Sequence, residues 1–128
     1  MAILSDQLGY PVNADELLQR FQKLASKKRH ELLVYEEKGK VLGWIHLERV
    51  EDLIEEDKVE IKALIVDENS RGKRIGQALI RSAEKWVKSY HLHTIYLNSN
   101  IIRERTRKFY EREGFKIYKQ SLFFEKMV

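Results

Sequence analysis

From Val59 to Ala78 the chain reads V-E-I-K-A-L-I-V-D-E-N-S-R-G-K-R-I-G-Q-A. An apolar run of strand character breaks into a basic turn holding a glycine, and a helical pattern opens straight after it. This order ties a sheet to a helix at one fixed point. It also leaves several backbone N–H groups unpaired in the helix's first turn, where the helix dipole favours negative charge. Arg71, Lys73 and Arg74 add side-chain charge to the same spot. The stretch therefore reads as a phosphate-binding turn, and an ordinary surface turn is the alternative.

Two familiar phosphate loops do not fit it. A dinucleotide fingerprint needs G-x-G-x-x-G, and a P-loop needs G-x-x-x-x-G-K followed by Ser or Thr. Here Gly72 and Gly76 stand four apart, and Gln77 and Ala78 follow the second glycine.

The remaining pattern supplies the other elements. Asn13 caps a helix running to about Ser26, with Glu16 in capping-box position and Leu17, Leu18, Phe21 and Leu24 on one face. Glu31 to Tyr35 and Val41 to Val50 read as strands joined by a turn at Glu37-Lys38-Gly39-Lys40. Val59 to Val66 is a third strand and Arg74 to Tyr90 a helix, with Ile75, Leu79, Ala83, Trp86, Val87 and Tyr90 in one stripe. Thr94 to Asn98 reads as a strand, Glu104 to Glu113 as a helix closed by Gly114, and the last residues as a pair of strands. The sum is a mixed α/β sheet with helices on both sides.

With 128 residues, one proline and no low-complexity run, the chain is expected to be a single domain, 1–128. No apolar run approaches the ~20 residues needed to span a bilayer, and Met1 to Leu4 carry no basic leader, so the expected location is cytoplasmic. The absence of cysteine excludes an acyl-cysteine intermediate and a thiolate metal site. His30, His46, His91 and His93 do not make a three- or four-ligand set by spacing, so no metal is expected. The net charge of +4 is modest, and a polyanionic cofactor accounts for it without nucleic acid.

Arg71, Gly76 and the strand ahead of them resemble the acyl-CoA loop of the GNAT superfamily of N-acetyltransferases, [RQ]-x-x-G-x-[GA]. Phe109-Tyr110-Glu111-Arg112-Glu113-Gly114-Phe115 resembles the same family's F-Y-x-x-x-G-F signature, and Tyr118 to Lys126 its final strand. Gln7 to Pro11 resembles the loop between the family's first two helices. One departure stands out: the family's first loop glycine falls on Arg74.

The resemblance implies a GNAT-like mixed, mostly antiparallel sheet flanked by helices. Only Met1 to Leu4 precede the Gln7 to Pro11 loop, so the first strand is expected to be lacking or supplied by a partner's edge, which leaves a homodimer open. It further implies acetyl transfer from acetyl-CoA directly to a primary amine, on a small molecule or a peptide, in a ternary complex. A bulge would splay the strand Ile61 to Val66 from Thr94 to Asn98, and backbone at Leu64, Ile65 and Val66 would hold the pantetheine arm. Arg71, Gly72, Lys73, Arg74, Ile75, Gly76, Gln77 and Ala78 would wrap the pyrophosphate. Asn98 or Asn100 would bond the pantetheine, and one cation among Arg103, Arg105, Arg107 and Lys108, with Arg105 preferred, would reach the 3′-phosphate.

Tyr110 would protonate the departing thiolate, its phenol with a pKa near ~10 being close to a thiol; a core tyrosine beside Phe109 is the alternative. Glu60 would take the proton of the amine, or else is a strand carboxylate paired with Lys62. The acidic run Glu48, Glu51, Asp52, Glu55, Glu56, Asp57 favours a cationic acceptor or is a solvated loop. A non-catalytic acyl-CoA sensor of the same fold is the rival reading. A nucleic-acid binder is disfavoured, because Arg103 to Arg112 lack the interleaved exposed aromatics that stack bases.

Overall fold

The computed structural model describes residues 19, 23, 29–70, 74–98 and 103–128. Gln19 and Lys23, both off the apolar face of the expected first helix, are helical and exposed. The expectations for Met1 to Leu4, for Gln7 to Pro11 and for Arg71, Gly72, Lys73 and Asn100 lie outside the described residues. The chain divides into two compact units, Met1–Asn98 and Ser99–Val128.

In the first unit, β1 (His30–Glu37) and β2 (Lys40–Val50) form a hairpin, followed by β3 (Lys58–Val66), helix α1 (Ile75–Ser89) and β4 (Ile95–Tyr96). Lys38 and Gly39, at φ 53° and 79°, make a two-residue turn whose twist matches that of the strands it joins. The sheet order is β1-β2-β3-β4, antiparallel except for the parallel β3–β4 pair. This is the mixed, mostly antiparallel sheet that the sequence implies.

Alternation along the strands divides the sheet into two faces. Ile45, Leu47, Val59 and Ile61 bury one face with Ile75, Leu79, Ile80, Ala83 and Val87 of α1. Gly43 lies under α1 because nothing larger fits: a Cβ there would stand 3.0 Å from the Ile65 carbonyl oxygen and 3.0 Å from Ile75 Cγ2. On the other face Trp44 and Ile65 are buried with Leu32, Val41 and Ala63 packed against them.

Three boundaries differ from expectation. The strand expected over Thr94 to Asn98 pairs only at Ile95 and Tyr96, because the β2–β3 register shifts between His46 and Leu47 and leaves Lys62 as an extra residue. Such a bulge bends its strand, so the parallel ladder ends at Glu60, just before it. Arg74 stands outside α1, since its φ of 59° is left-handed. The terminal strands do not form: 115–128 carry no strand, and Leu122, Phe123, Phe124 and Met127 are exposed, with no ladder among the described residues reaching them.

The second unit holds helix α2 (Glu104–Arg112). Gly114 follows it at C′ with φ 95°, as expected. Among the described residues no helix is long and apolar enough to cross a membrane.

Candidate active site

The bulge sets the first feature of the site. β3 runs on to Val66 while, among the described residues, β4's pairing stops at Glu60, which leaves a seam along the second half of β3 in those residues. Asp67 donates its N–H to the Leu42 carbonyl at 2.8 Å. Antiparallel ladders alternate, so Ile65 and Ala63 also direct their backbone polar groups at β2, and Leu64 and Val66 present theirs to the opposite side, at the seam. Ile65 differs from its neighbours: its side chain is buried beside Trp44.

Beyond Val66 a short 3₁₀ turn, Glu68–Ser70, is fixed by Asp67, whose Oδ1 accepts the Asn69 N–H at 3.1 Å and whose carbonyl accepts the Ser70 N–H at 2.9 Å. Asp67 and Ser70 are both buried. After residues 71–73 the chain enters α1 through Arg74 at φ 59° and ψ 29°, with no side-chain cap. The first intrahelical bond runs from the Ala78 N–H to the Arg74 carbonyl at 3.0 Å. The amides ahead of it, at Ile75 and Gly76, are not used by the helix ladder. A pyrophosphate needs such donors, and a left-handed residue before them is the conformation a loop glycine would adopt without strain.

A polar row crosses the sheet beside the seam. Glu60 and Glu48 are cross-strand partners, and Lys62, the bulge residue, lies 3.4 Å from Glu60 Oε1 and 3.7 Å from Glu48 Oε2. Asn98 Nδ2 donates to Glu60 Oε2 at 3.4 Å, which brings together the expected pantetheine partner and the expected base from 38 positions apart in sequence. Next along the row, His46 Nε2 and His30 Nδ1 share a hydrogen bond of 3.0 Å. Burial holds the His46 pKa below its usual 6.5; His30 and Lys62 lower it further, and Glu48 and Glu60 oppose them. Spacing does not reveal this row, since it joins residues up to 38 apart; strand alternation together with the hairpin register finds it.

The acidic run is largely committed. Asp57 pairs with Arg49 at 3.1 Å, Glu55 with Lys58 at 2.8 Å, and Asp52 Oδ1 accepts the Ile54 N–H at 2.7 Å. Those backbone bonds, from Ile54 first and Glu55 second, hold the Asp52 carboxyl below its ordinary range. A self-organised loop accounts for these acids without a ligand.

In the second unit the aromatic-glycine signature is a helix stop. The Phe115 N–H donates to the Tyr110 carbonyl at 2.9 Å and the Gly114 N–H to the Glu111 carbonyl at 3.1 Å. That is the Schellman arrangement, with Gly114 supplying the left-handed residue and Phe115 packing back on Tyr110, ring centroids 5.4 Å apart. Phe109 also meets Tyr110 edge-on, with ring centroids 5.1 Å apart. Burial pushes the Tyr110 phenol up to about 12. Of the cations on α2, Arg107 pairs with Glu111 at 2.7 Å and Lys108 with Glu104 at 3.2 Å, and Arg105 is exposed. Among the described residues no group of three or more His, Asp or Glu is arranged to hold a metal ion.

The first unit thus has a splayed parallel seam and a left-handed residue entering a helix N-terminus, and the second a Tyr-to-Gly helix stop. The family model described as "Acetyltransferase (GNAT) family" matches residues 1–115, and the chain belongs to that family. It is 36% identical over 86 residues to the aminoalkylphosphonate N-acetyltransferase of Salmonella typhimurium strain LT2, covering 66% of this chain and 54% of that protein. It is 35% identical over 78 residues to the N-acetylaspartate synthetase of Xenopus tropicalis, covering 61% and 28%. The chain thus spans about half or less of the length of these relatives. Among solved structures, a GNAT family acetyltransferase of Staphylococcus aureus superposes with a TM-score of 0.80 at 24% identity, covering 98% of this chain and 86% of that one. AAC(6′)-Iy in complex with a bisubstrate analogue of coenzyme A and acetylneamine superposes with a TM-score of 0.87 at 15% identity, covering 98% and 88%.

Proposed function

We propose that this protein transfers an acetyl group from acetyl-CoA directly to a primary amine, on a small molecule or a peptide, within a ternary complex. The observation that carries the reading is the seam: β3 continues past its last pair with β4 at Glu60 and turns Leu64 and Val66 backbone toward the gap. A pantetheine arm carries amides spaced for strand-like pairing, and an N–H aimed at the thioester carbonyl stabilises the oxyanion formed on attack. The amides at Ile75 and Gly76, together with Arg71, Gly72, Lys73, Arg74, Gln77 and Ala78 of the same sequence motif, take the pyrophosphate, and Arg105 takes the 3′-phosphate.

In this reading Glu60 removes the proton of the bound ammonium, leaving a lone pair to attack the thioester carbonyl. Lys62 and Asn98 hold the Glu60 carboxylate in place. Tyr110 donates its proton to the departing thiolate. Raised to about 12, the phenol is a weaker acid than the ordinary value suggests, and it stays protonated at every working pH. Desolvation raises phenol and thiol alike, so the match between donor and acceptor survives when both are excluded from water. One relative named for aminoalkylphosphonate and a neighbour bound to an acetylneamine analogue support an amine acceptor.

The test is coenzyme A release from acetyl-CoA in the presence of 2-aminoethylphosphonate, neamine, spermidine and lysine peptides. Release with at least one, reduced about a hundredfold in Glu60→Gln at neutral pH, supports the reading. Binding of acetyl-CoA without release on any amine favours the sensor reading instead.

A further inference from the structure

We propose that His46 and His30 form a proton relay that carries the acceptor's proton away from Glu60 toward β1. The inference rests on the acetyl-transfer reading above.

The two imidazoles sit on neighbouring strands, β2 and β1, with Nε2 of His46 and Nδ1 of His30 3.0 Å apart. One proton occupies that bond, because two would set N–H against N–H. The order across the sheet is β3, β2, β1, so Glu60, His46 and His30 run from the seam outward. The charged groups facing His46 are Glu48 on its own strand, Glu60 and Lys62 on β3, and His30 on β1. Asn98, from beyond β4, reaches the same row through Glu60. Both rings are half-buried, and burial favours neutral His46, the form that accepts a proton.

Each acetyl transfer from an ammonium releases a proton that must leave Glu60 before the next cycle. It passes through water to Nδ1 of His46, whose Nε2–H passes to Nδ1 of His30, and the Nε2–H of His30 leaves to solvent. Both rings end neutral as the Nδ1–H tautomer and Glu60 returns to carboxylate, and proton exchange with solvent restores the Nε2–H tautomers before the next turnover. No bond to carbon forms or breaks in the relay, and no redox partner is needed.

The test compares wild type with His46→Gln and His30→Gln, using whichever of 2-aminoethylphosphonate, neamine or spermidine the wild type acetylates. His46→Gln should lower kcat about 10- to 100-fold at pH 7, and the gap should close toward pH 9.5, where the amine sheds its proton unaided. His30→Gln should show a smaller loss that added imidazole buffer restores. A loss equal at all pH values and unmoved by imidazole marks both residues as structural and overturns the relay, as does an unchanged profile. A wild type inactive on all three amines overturns the functional reading and the relay with it. One readout needs no acceptor: in ¹⁵N spectra of the histidine rings, His46 should titrate below 6.5 and move up in His30→Gln. A His46 that titrates at or above 6.5 in wild type refutes the arrangement.

Discussion

Replacing Arg74 by glycine and, separately, by alanine should invert the usual order of helix-former stability. In an ordinary helical position alanine is favoured over glycine by about 1 kcal/mol. At Arg74 the backbone is left-handed, φ 59° and ψ 29°, which costs a residue bearing a Cβ about 1 to 2 kcal/mol. Glycine escapes that cost and gives back roughly 0.5 to 1 kcal/mol through its freer unfolded chain. The exposed Arg74 side chain makes no cap hydrogen bond, so neither variant loses one. Arg74→Gly should therefore be more stable than Arg74→Ala by about 0.5 to 1 kcal/mol. Unfolding entropy near 2.1 cal/mol/K per residue over 128 residues is about 0.27 kcal/mol/K, which sets the gap at roughly 2 to 4 °C. Paired thermal and urea denaturation reads it directly. Alanine equal to or more stable than glycine would show that residue 74 is not held left-handed, and the account of how the chain enters α1 would fail with it.

Gly43→Ala should destabilise by about 1 to 3 kcal/mol, because its Cβ meets the Ile65 carbonyl and Ile75 at 3.0 Å and Leu79 at 3.2 Å; a change in Tm under 2 °C would contradict the close approach of α1 to the sheet. Tyr110→Phe should lower kcat by about a hundredfold while leaving acetyl-CoA affinity unchanged, as steady-state and binding measurements would reveal. Because folding raises the Tyr110 pKa from 10.0 to about 12, stability linked to it is full below pH 10 and is lost as pH rises toward 12; Tyr110→Phe should flatten that part of the stability–pH curve. His46 works in the opposite direction. Its folded pKa is depressed, so its contribution is present above 6.5 and is lost as pH falls below it, and denaturation midpoints of His46→Gln should lack that acid slope.

Much of the fold could be read from residues. The Lys38-Gly39 turn marks its own hairpin, and the α1 stripe of Ile75, Leu79, Ala83 and Val87 names the buried face. Tyr110 and Gly114 mark a helix stop whose reason, a left-handed C′ residue with Phe115 folded back on Tyr110, needs the backbone to be seen. What stayed hidden depends on register. Strand alternation alone does not say which face Glu60 takes, and one extra residue at Lys62 decides that Glu60, Glu48 and Lys62 share a face. The same shift cuts β4 to two residues where five read as strand. The terminal apolar residues have strand composition, but a strand exists only by pairing, and composition does not show what an edge will meet.

In the proposed function the β3 seam and the α1 N-terminus take acetyl-CoA. Thermal unfolding titrated with acetyl-CoA, with coenzyme A and ATP alongside, tests it most directly. Ligand at a hundredfold excess over Kd adds about 2.7 kcal/mol, close to 10 °C for a chain of this length. Matching shifts with acetyl-CoA and coenzyme A, and a much smaller one with ATP, are the expected result. No shift at millimolar acetyl-CoA, or an equal shift with ATP, would contradict the claim.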